Sequence, residues 1–141
     1  MQQRSGEMLP LGPERHPAGD PEQISPIVEV DPLHQLGRAI RQAIEAWPVG
    51  KRVAVLASGG LSHFFVDEEL DRHVLDLLAK QDGEALSALP AARLESGNSE
   101  IRNWIATAGA AEHLAMRLVD YVPSYRSEAG SGVGMAFAVW Q

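Results

Sequence analysis

His63 is the side chain best placed to do chemistry. It closes the stretch Lys51-Arg52-Val53-Ala54-Val55-Leu56-Ala57-Ser58-Gly59-Gly60-Leu61-Ser62-His63, in which an apolar run breaks at two glycines and a histidine follows shortly after. An imidazole accepts and returns protons near neutral pH. The unbroken apolarity of Val53 to Ala57 predicts a buried strand. In open α/β sheets ligands gather where loops leave the carboxyl ends of strands. Gly59 and Gly60 would let a ligand approach the main chain there, with Ser62 in the same turn. The pattern fits equally well a tight turn whose histidine only caps the next helix.

Glu100 is the second candidate. It stands at the head of the helix expected from Ile101 onward, after the turn-forming Ser96-Gly97-Asn98-Ser99. On its own, an acid at that position is explained by the helix dipole, which it stabilises by about 0.3–1 kcal/mol. The same explanation covers the acids Asp67, Glu68, Glu69 and Asp71, better than a carboxylate metal cluster does. The other histidines lack a chemical context. His16 lies among prolines and glycines, His34 in the exposed first turn of a helix, His73 on the polar side of a helix, and His113 in a connection with no motif. A serine hydrolase built on Ser62 is disfavoured, because Gly60-Leu61-Ser62-His63-Phe64 lacks the second glycine of a nucleophile elbow. A histidine adjacent in sequence is also badly placed to serve as that serine's base.

Several elements would have to position these residues. Residues 1–26 carry Pro10, Pro13, Pro17, Pro21 and Pro26 with glycines between them, and they read as a flexible arm. Ile27 to Val30 could form a short strand. Asp31-Pro32 begins a helix with Asp31 as cap, and Leu33, Leu36, Ile40, Ala43, Ile44 and Trp47 make an apolar stripe expected to be core. Pro48-Val49-Gly50 ends it. Asp67 caps a second helix that runs to Lys80 and buries Leu70, Val74, Leu77 and Leu78. A short helical turn over residues 84–89 precedes Pro90. The helix after Glu100 turns Ile101, Trp104, Ile105 and Ala108 inward. Met116 to Val122 and Met135 to Trp140 read as strands, separated by a loop from Pro123 to Gly134. This order implies an α/β layered sandwich in which a mixed β-sheet is flanked by helices.

Composition narrows the function. The chain has 141 residues, of which 45% are hydrophobic, enough for one packed core. Twelve basic and nineteen acidic residues give a net charge of −7, which speaks against nucleic acid or an anionic membrane as partner. There is no cysteine, so thiolate metal sites and disulfides are excluded and a cytoplasmic location is permitted. No apolar run reaches the roughly 18 residues a membrane span requires. The first seven residues carry no apolar segment of the kind a secretory signal needs.

Two motifs together resemble one family. Ala57-Ser58-Gly59-Gly60-Leu61-Ser62-His63 is similar to the glycine–histidine signature of class III extradiol ring-cleavage dioxygenases, of the protocatechuate 4,5-dioxygenase β-subunit type. Ser96-Gly97-Asn98-Ser99-Glu100-Ile101-Arg102-Asn103-Trp104-Ile105 is similar to its second signature, an acid at a helix head followed four residues later by Trp. Tyr121-Val122-Pro123 through Gly134-Met135-Ala136-Phe137 is similar to the closing segment, and the resemblance runs from about Val28 to Gln141. It implies a layered α/β fold, part of a larger catalytic whole, that opens a catecholic ring with non-haem Fe(II) and O2. Carried over by position, Glu100 matches a metal ligand, His63 the acid–base histidine, and Gly59, Gly60 and Ser62 the turn that presents it to substrate. The two further metal histidines of the family belong to an N-terminal half that this chain does not resemble. The resemblance therefore implies the C-terminal part of such an enzyme over residues 27–141, completed by a second copy or a companion chain. The alternative is a non-catalytic partner subunit that keeps the fold without the iron. Either way, Glu100 and His63 are expected to meet in one cleft.

Overall fold

The computed structural model describes residues 31–141. Helix α1 spans Asp31–Ala46, strand β1 His63–Phe65, helix α2 Glu68–Lys80, helix α3 Gly83–Ser87, helix α4 Ile101–Ala110, strand β2 Met116–Tyr125 and strand β3 Ser131–Trp140. Two 3₁₀ turns, Ala91–Leu94 and Ser96–Glu100, lead into α4. The expected arm at 1–26 and the strand at 27–30 lie outside the described residues.

The α/β layering agrees with the sequence. The three strands form a sheet in the order β1-β3-β2, and both pairings are antiparallel. It is thus not the mixed sheet expected, and the reason lies in residues 53–57. That stretch forms no strand, because no main-chain hydrogen bond links it to another backbone among the described residues. Apolarity favours a strand, but only a ladder partner makes one. Leu56 is left 83% exposed.

From Gly132 to Val139, strand β3 alternates small and large residues. Gly132, Gly134, Ala136 and Ala138 lie on its more buried side, while Met135, Phe137 and Val139 face outward. The small residues let α2 press close. A Cβ on Gly134 would fall on the Asp71 carboxylate. The loop expected from Pro123 to Gly134 shrinks to residues 126–130, because β2 and β3 stay paired as far as Tyr125 opposite Gly132. Pro123 is tolerated there because β2 is an edge strand, where a missing N–H breaks no ladder bond on the outer side.

The helices form as their sequences direct. The Asp67 carboxylate accepts from Leu70 N at 3.0 Å and caps α2. Leu70, Val74, Leu77 and Leu78 are buried as expected, and so are Ile101, Trp104, Ile105 and Ala108 of α4. Trp104 meets Trp140 of β3 at 6.2 Å between ring centroids, which joins helix layer to sheet.

Three expectations need correction. Of the apolar stripe of α1 only Leu33 packs against the core; α1 meets α4 through its glycine side, with Gly37 against Ala106 and Ala110 and Gly109 against His34. Leu36 and Trp47 are consequently 52% and 56% exposed. His34 is buried rather than exposed, its ring set against Gly83 of α3. Asp71 does not belong to a solvated first turn. It is fully buried and accepts from Ser62 N at 2.9 Å, Ser62 Oγ at 2.7 Å and Tyr121 Oη at 2.7 Å.

Burial drives the Asp71 carboxyl above its ordinary range, and the hydrogen bonds from Ser62 and Tyr121 pull it back only in part. The folded form therefore holds this proton more tightly than the unfolded form does. Stability associated with Asp71 is fully present below the unfolded value, near 3.9, and is lost as pH rises through the folded value. Asp71→Asn removes this dependence. Urea unfolding at a series of pH values should show wild type losing ground to Asp71→Asn as pH climbs from about 4. Asp71→Ala, which strands three buried donors, should cost roughly 3 kcal/mol or more at any pH.

Candidate functional site

The site is a turn between the unpaired segment and β1. Gly59 has φ +116°, a conformation that residues with a Cβ rarely adopt, and a Cβ there would strike the Glu100 carboxylate. α4 holds the entry to the turn. Asn103 Nδ2 donates to Ser58 O at 3.0 Å, and Trp104 Nε1 donates to Gly59 O at 3.2 Å. The tryptophan four residues after Glu100 thus ties the glycine turn to the helix that carries the acid.

Every N–H of the next four residues is taken by an acceptor distant in sequence. Gly60 N donates to Glu100 Oε2 at 2.9 Å, Leu61 N to Gly134 O at 2.8 Å, Ser62 N to Asp71 Oδ1 at 2.9 Å and His63 N to Asn98 Oδ1 at 3.1 Å. Gly134 N returns a bond to Ser62 O at 2.8 Å. Beyond the turn, Phe64 takes φ +68°, an uncommon angle for a bulky residue. Gly97 leaves room for it, since a Cβ on Gly97 would touch both His63 O and the Phe64 ring.

His63 and Glu100 come together. His63 Nε2 lies 3.1 Å from Glu100 Oε2, although 37 positions separate the two residues in sequence (100 − 63). On the other side of the ring, Nδ1 is 3.1 Å from Leu61 O. A carbonyl only accepts, so Nδ1–H donates there and Nε2 is the nitrogen that faces Glu100. Both side chains reach solvent, at 24% and 44% exposure.

Ser62 is brought to the turn but not to its open side. Its hydroxyl donates to Asp71, accepts from Asp67 N at 2.9 Å and is fully buried, so it cannot touch a substrate or act as a nucleophile. Gly59 and Gly60 border a cleft of about 600 Å³ whose other walls include Arg126, Met135 and Phe137. A second groove of about 590 Å³ runs between residues 53–57, α1, α4 and Trp140, with His113 on its wall. His73 is exposed on α2, His34 lies under α3, and His16 falls outside the described residues. Among the described residues no three His, Cys, Asp or Glu side chains lie together as a metal cluster would require. Glu100 still offers the chemistry of one hard oxygen ligand.

Sequence reasoning missed Asp71, Asn98 and Tyr121 as supports of the turn. Asp71 could have been found, because it shares the helical face of Leu70, Val74, Leu75 and Leu78. An acid in a buried stripe needs donors of its own. Tyr121 and Asn98 gave no local signal, since their partners lie 50 and 35 positions away.

Comparison with known proteins yields two matches. The family model described as the catalytic LigB subunit of aromatic ring-opening dioxygenase matches residues 23–136. The gallate dioxygenase of Pseudomonas putida is 32% identical over 95 residues, covering 60% of this chain and 28% of that protein. The chain therefore spans under a third of that relative's length. No solved structure matches.

The geometry predicts separable costs at the turn. Trp104→Phe keeps an aromatic ring beside Trp140 but strands Gly59 O, and should lower stability by about 1 kcal/mol. Gly59→Ala combines a strained backbone with a clash at Glu100 and should cost roughly 1–3 kcal/mol. Urea unfolding of the two variants beside wild type checks both.

Proposed function

Since the chain belongs to the class III extradiol family of aromatic ring-opening dioxygenases, as a member of its catalytic LigB subunit group, we propose that it carries part of the active site of a dioxygenase that opens a catechol-type ring. The observation that supports this most is the 3.1 Å contact between His63 and Glu100 at a turn every neighbouring element holds. Residues 27–141 would form the C-terminal part of the catalytic domain, preceded by an arm at 1–26. The absence of cysteine suits a reducing, cytoplasmic setting.

In this reading Glu100 supplies one ligand to a non-haem Fe(II), and two imidazoles from outside the described residues supply the others. A carboxylate fits the role: it is hard, anionic and partly open to solvent. A bound iron would supply a Lewis-acidic centre with open positions for the two diol oxygens and for O2. His63 handles protons. A catechol must lose protons to chelate, and Nε2 can accept one and return it, while Leu61 O fixes the ring through Nδ1. Gly59 and Gly60 present His63 and leave the wall of the cleft low. The exposed apolar stripe of α1, the unpaired segment at 53–57 and the outer face of β3 fit a chain that meets a second copy or a companion. A second reading, a non-catalytic partner that keeps the fold, draws on the lack of three clustered ligands among the described residues.

Two experiments test this. Purified chain, loaded anaerobically with Fe(II) and given protocatechuate, gallate and catechol in an oxygen electrode, should take up no oxygen at an enzyme-like rate; uptake would refute the ligand count. In an assembled active complex, Glu100→Ala should lose iron, since the site has only three protein ligands. His63→Ala should keep iron and lower turnover on the order of 100-fold or more. Iron lost with His63→Ala and kept with Glu100→Ala would reverse the two roles. An assembled complex that never binds iron would favour the non-catalytic reading.

A further inference from the structure

We propose that Asp71 is a positioning residue for His63, acting through Ser62. The inference builds on the reading of His63 as the proton-handling group, but it concerns where that ring is held. His63 can meet Glu100 only if the backbone leaves the turn at one place and in one direction. Asp71 holds the residue just before it by both handles: Oδ1 takes Ser62 N at 2.9 Å and Oδ2 takes Ser62 Oγ at 2.7 Å. A two-point grip on one residue fixes its rotation as well as its position. The same hydroxyl accepts from Asp67 N at 2.9 Å, so the grip is tied to the N-terminus of α2.

The rest of the surroundings serve this arrangement. Tyr121 Oη adds a donor to Oδ2 at 2.7 Å and closes the carboxylate off from the sheet side. Gly134 lies where any Cβ would displace Oδ2, and its own N–H holds Ser62 O. No cation shares the carboxylate among the described residues; its partners are a backbone amide and two hydroxyls. A buried acid held only by neutral donors is an expensive way to stabilise a fold. It does provide direction, because each donor approaches along a fixed line. Asp71 itself does not line the cleft that Gly59 and Gly60 border, and its hydrogen bonds go to Ser62 and Tyr121 rather than to His63.

The test reads the His63 ring in the full chain and needs neither iron nor turnover. Histidine is labelled with ¹⁵N, and the His63 signals are assigned by their loss in His63→Ala. In wild type, Nδ1 should be protonated throughout, since it donates to Leu61 O. Asp71→Ala should lose this fixed Nδ1–H pattern and give the averaged signals of a free imidazole. The amides of Ser62 and His63 should exchange about 10-fold faster or more. Tyr121→Phe, which leaves both bonds to Ser62 intact, should keep the wild-type pattern. Leu78→Ala, a core variant on the same helix, should lower stability and also keep it. Asp71→Asn retains an acceptor for Ser62 N and loses the one for Ser62 Oγ, so it should fall between the two.

A folded Asp71→Ala with the wild-type His63 pattern overturns the proposal. So does loss of the pattern in Leu78→Ala, which would reduce the role of Asp71 to general stability. Should Asp71→Ala fail to fold, Asp71→Asn decides: signals identical to wild type overturn the inference, and partial averaging with faster Ser62 exchange supports it. Failure of ring cleavage in any assembly would count against the proposed function alone, because the ring pattern is read without it.

Discussion

The fold is organised by a demand for hydrogen-bond acceptors in four consecutive residues. Gly60, Leu61, Ser62 and His63 leave the main chain's regular structure at a buried place, and each N–H must find its own partner. The helix α4 head answers with Glu100, β3 with the Gly134 carbonyl, α2 with Asp71 and the preceding 3₁₀ turn with Asn98. Three regions far apart in sequence, α2, the segment from Asn98 to Glu100 and β3, thus converge on one short turn. No one of these bonds is strong by itself, at about 1 kcal/mol net. Losing the bond to the buried Asp71 leaves a polar group without water or a partner, so that part of the turn is held by the penalty for leaving it.

Much of this arrangement could be read before the structure. The capping acid Asp67, the inward faces of α2 and α4 and the strand at Met135 to Trp140 follow from local rules, because a helix or strand that buries one face must show a period. His63 and Glu100 stood out through residue type and the flanking turn residues. Their meeting did not follow from spacing, and neither did the role of Trp104, whose indole N–H reaches back 45 positions to Gly59 O. The errors have a common cause. Residues 53–57 and the α1 stripe were assigned to the core because they are apolar, yet apolarity specifies only a preference and not the surface that satisfies it. In α1 the contact is made instead by Gly37, which allows the two helix backbones close enough that side chains between them would not fit. Small residues leave no trace in a hydrophobic pattern. The same blindness hid the length of the hairpin, where Gly132 and Gly134 read as loop but are strand residues opposite Tyr125 and Pro123.

Two carboxylates grip the same turn, and their surroundings differ. Asp71 accepts from one amide and two hydroxyls with no exposed surface, so its contacts have nothing to exchange with. Glu100 accepts from one amide and meets one imidazole while its side chain stays 44% exposed. Its bond to Gly60 and its contact with His63 both fall on Oε2, so neither engages Oε1. Such a group can take a further partner through its second oxygen without releasing the turn. The imidazole is held in a similar way, with Nδ1 on Leu61 O and Nε2 on Glu100. Each of the two side chains therefore has one atom tied to the backbone of the turn. A site assembled on a loop ordinarily trades precision for access. Here the fully buried acid holds the turn through both atoms of Ser62, while the acid that meets His63 keeps 44% of its side chain exposed.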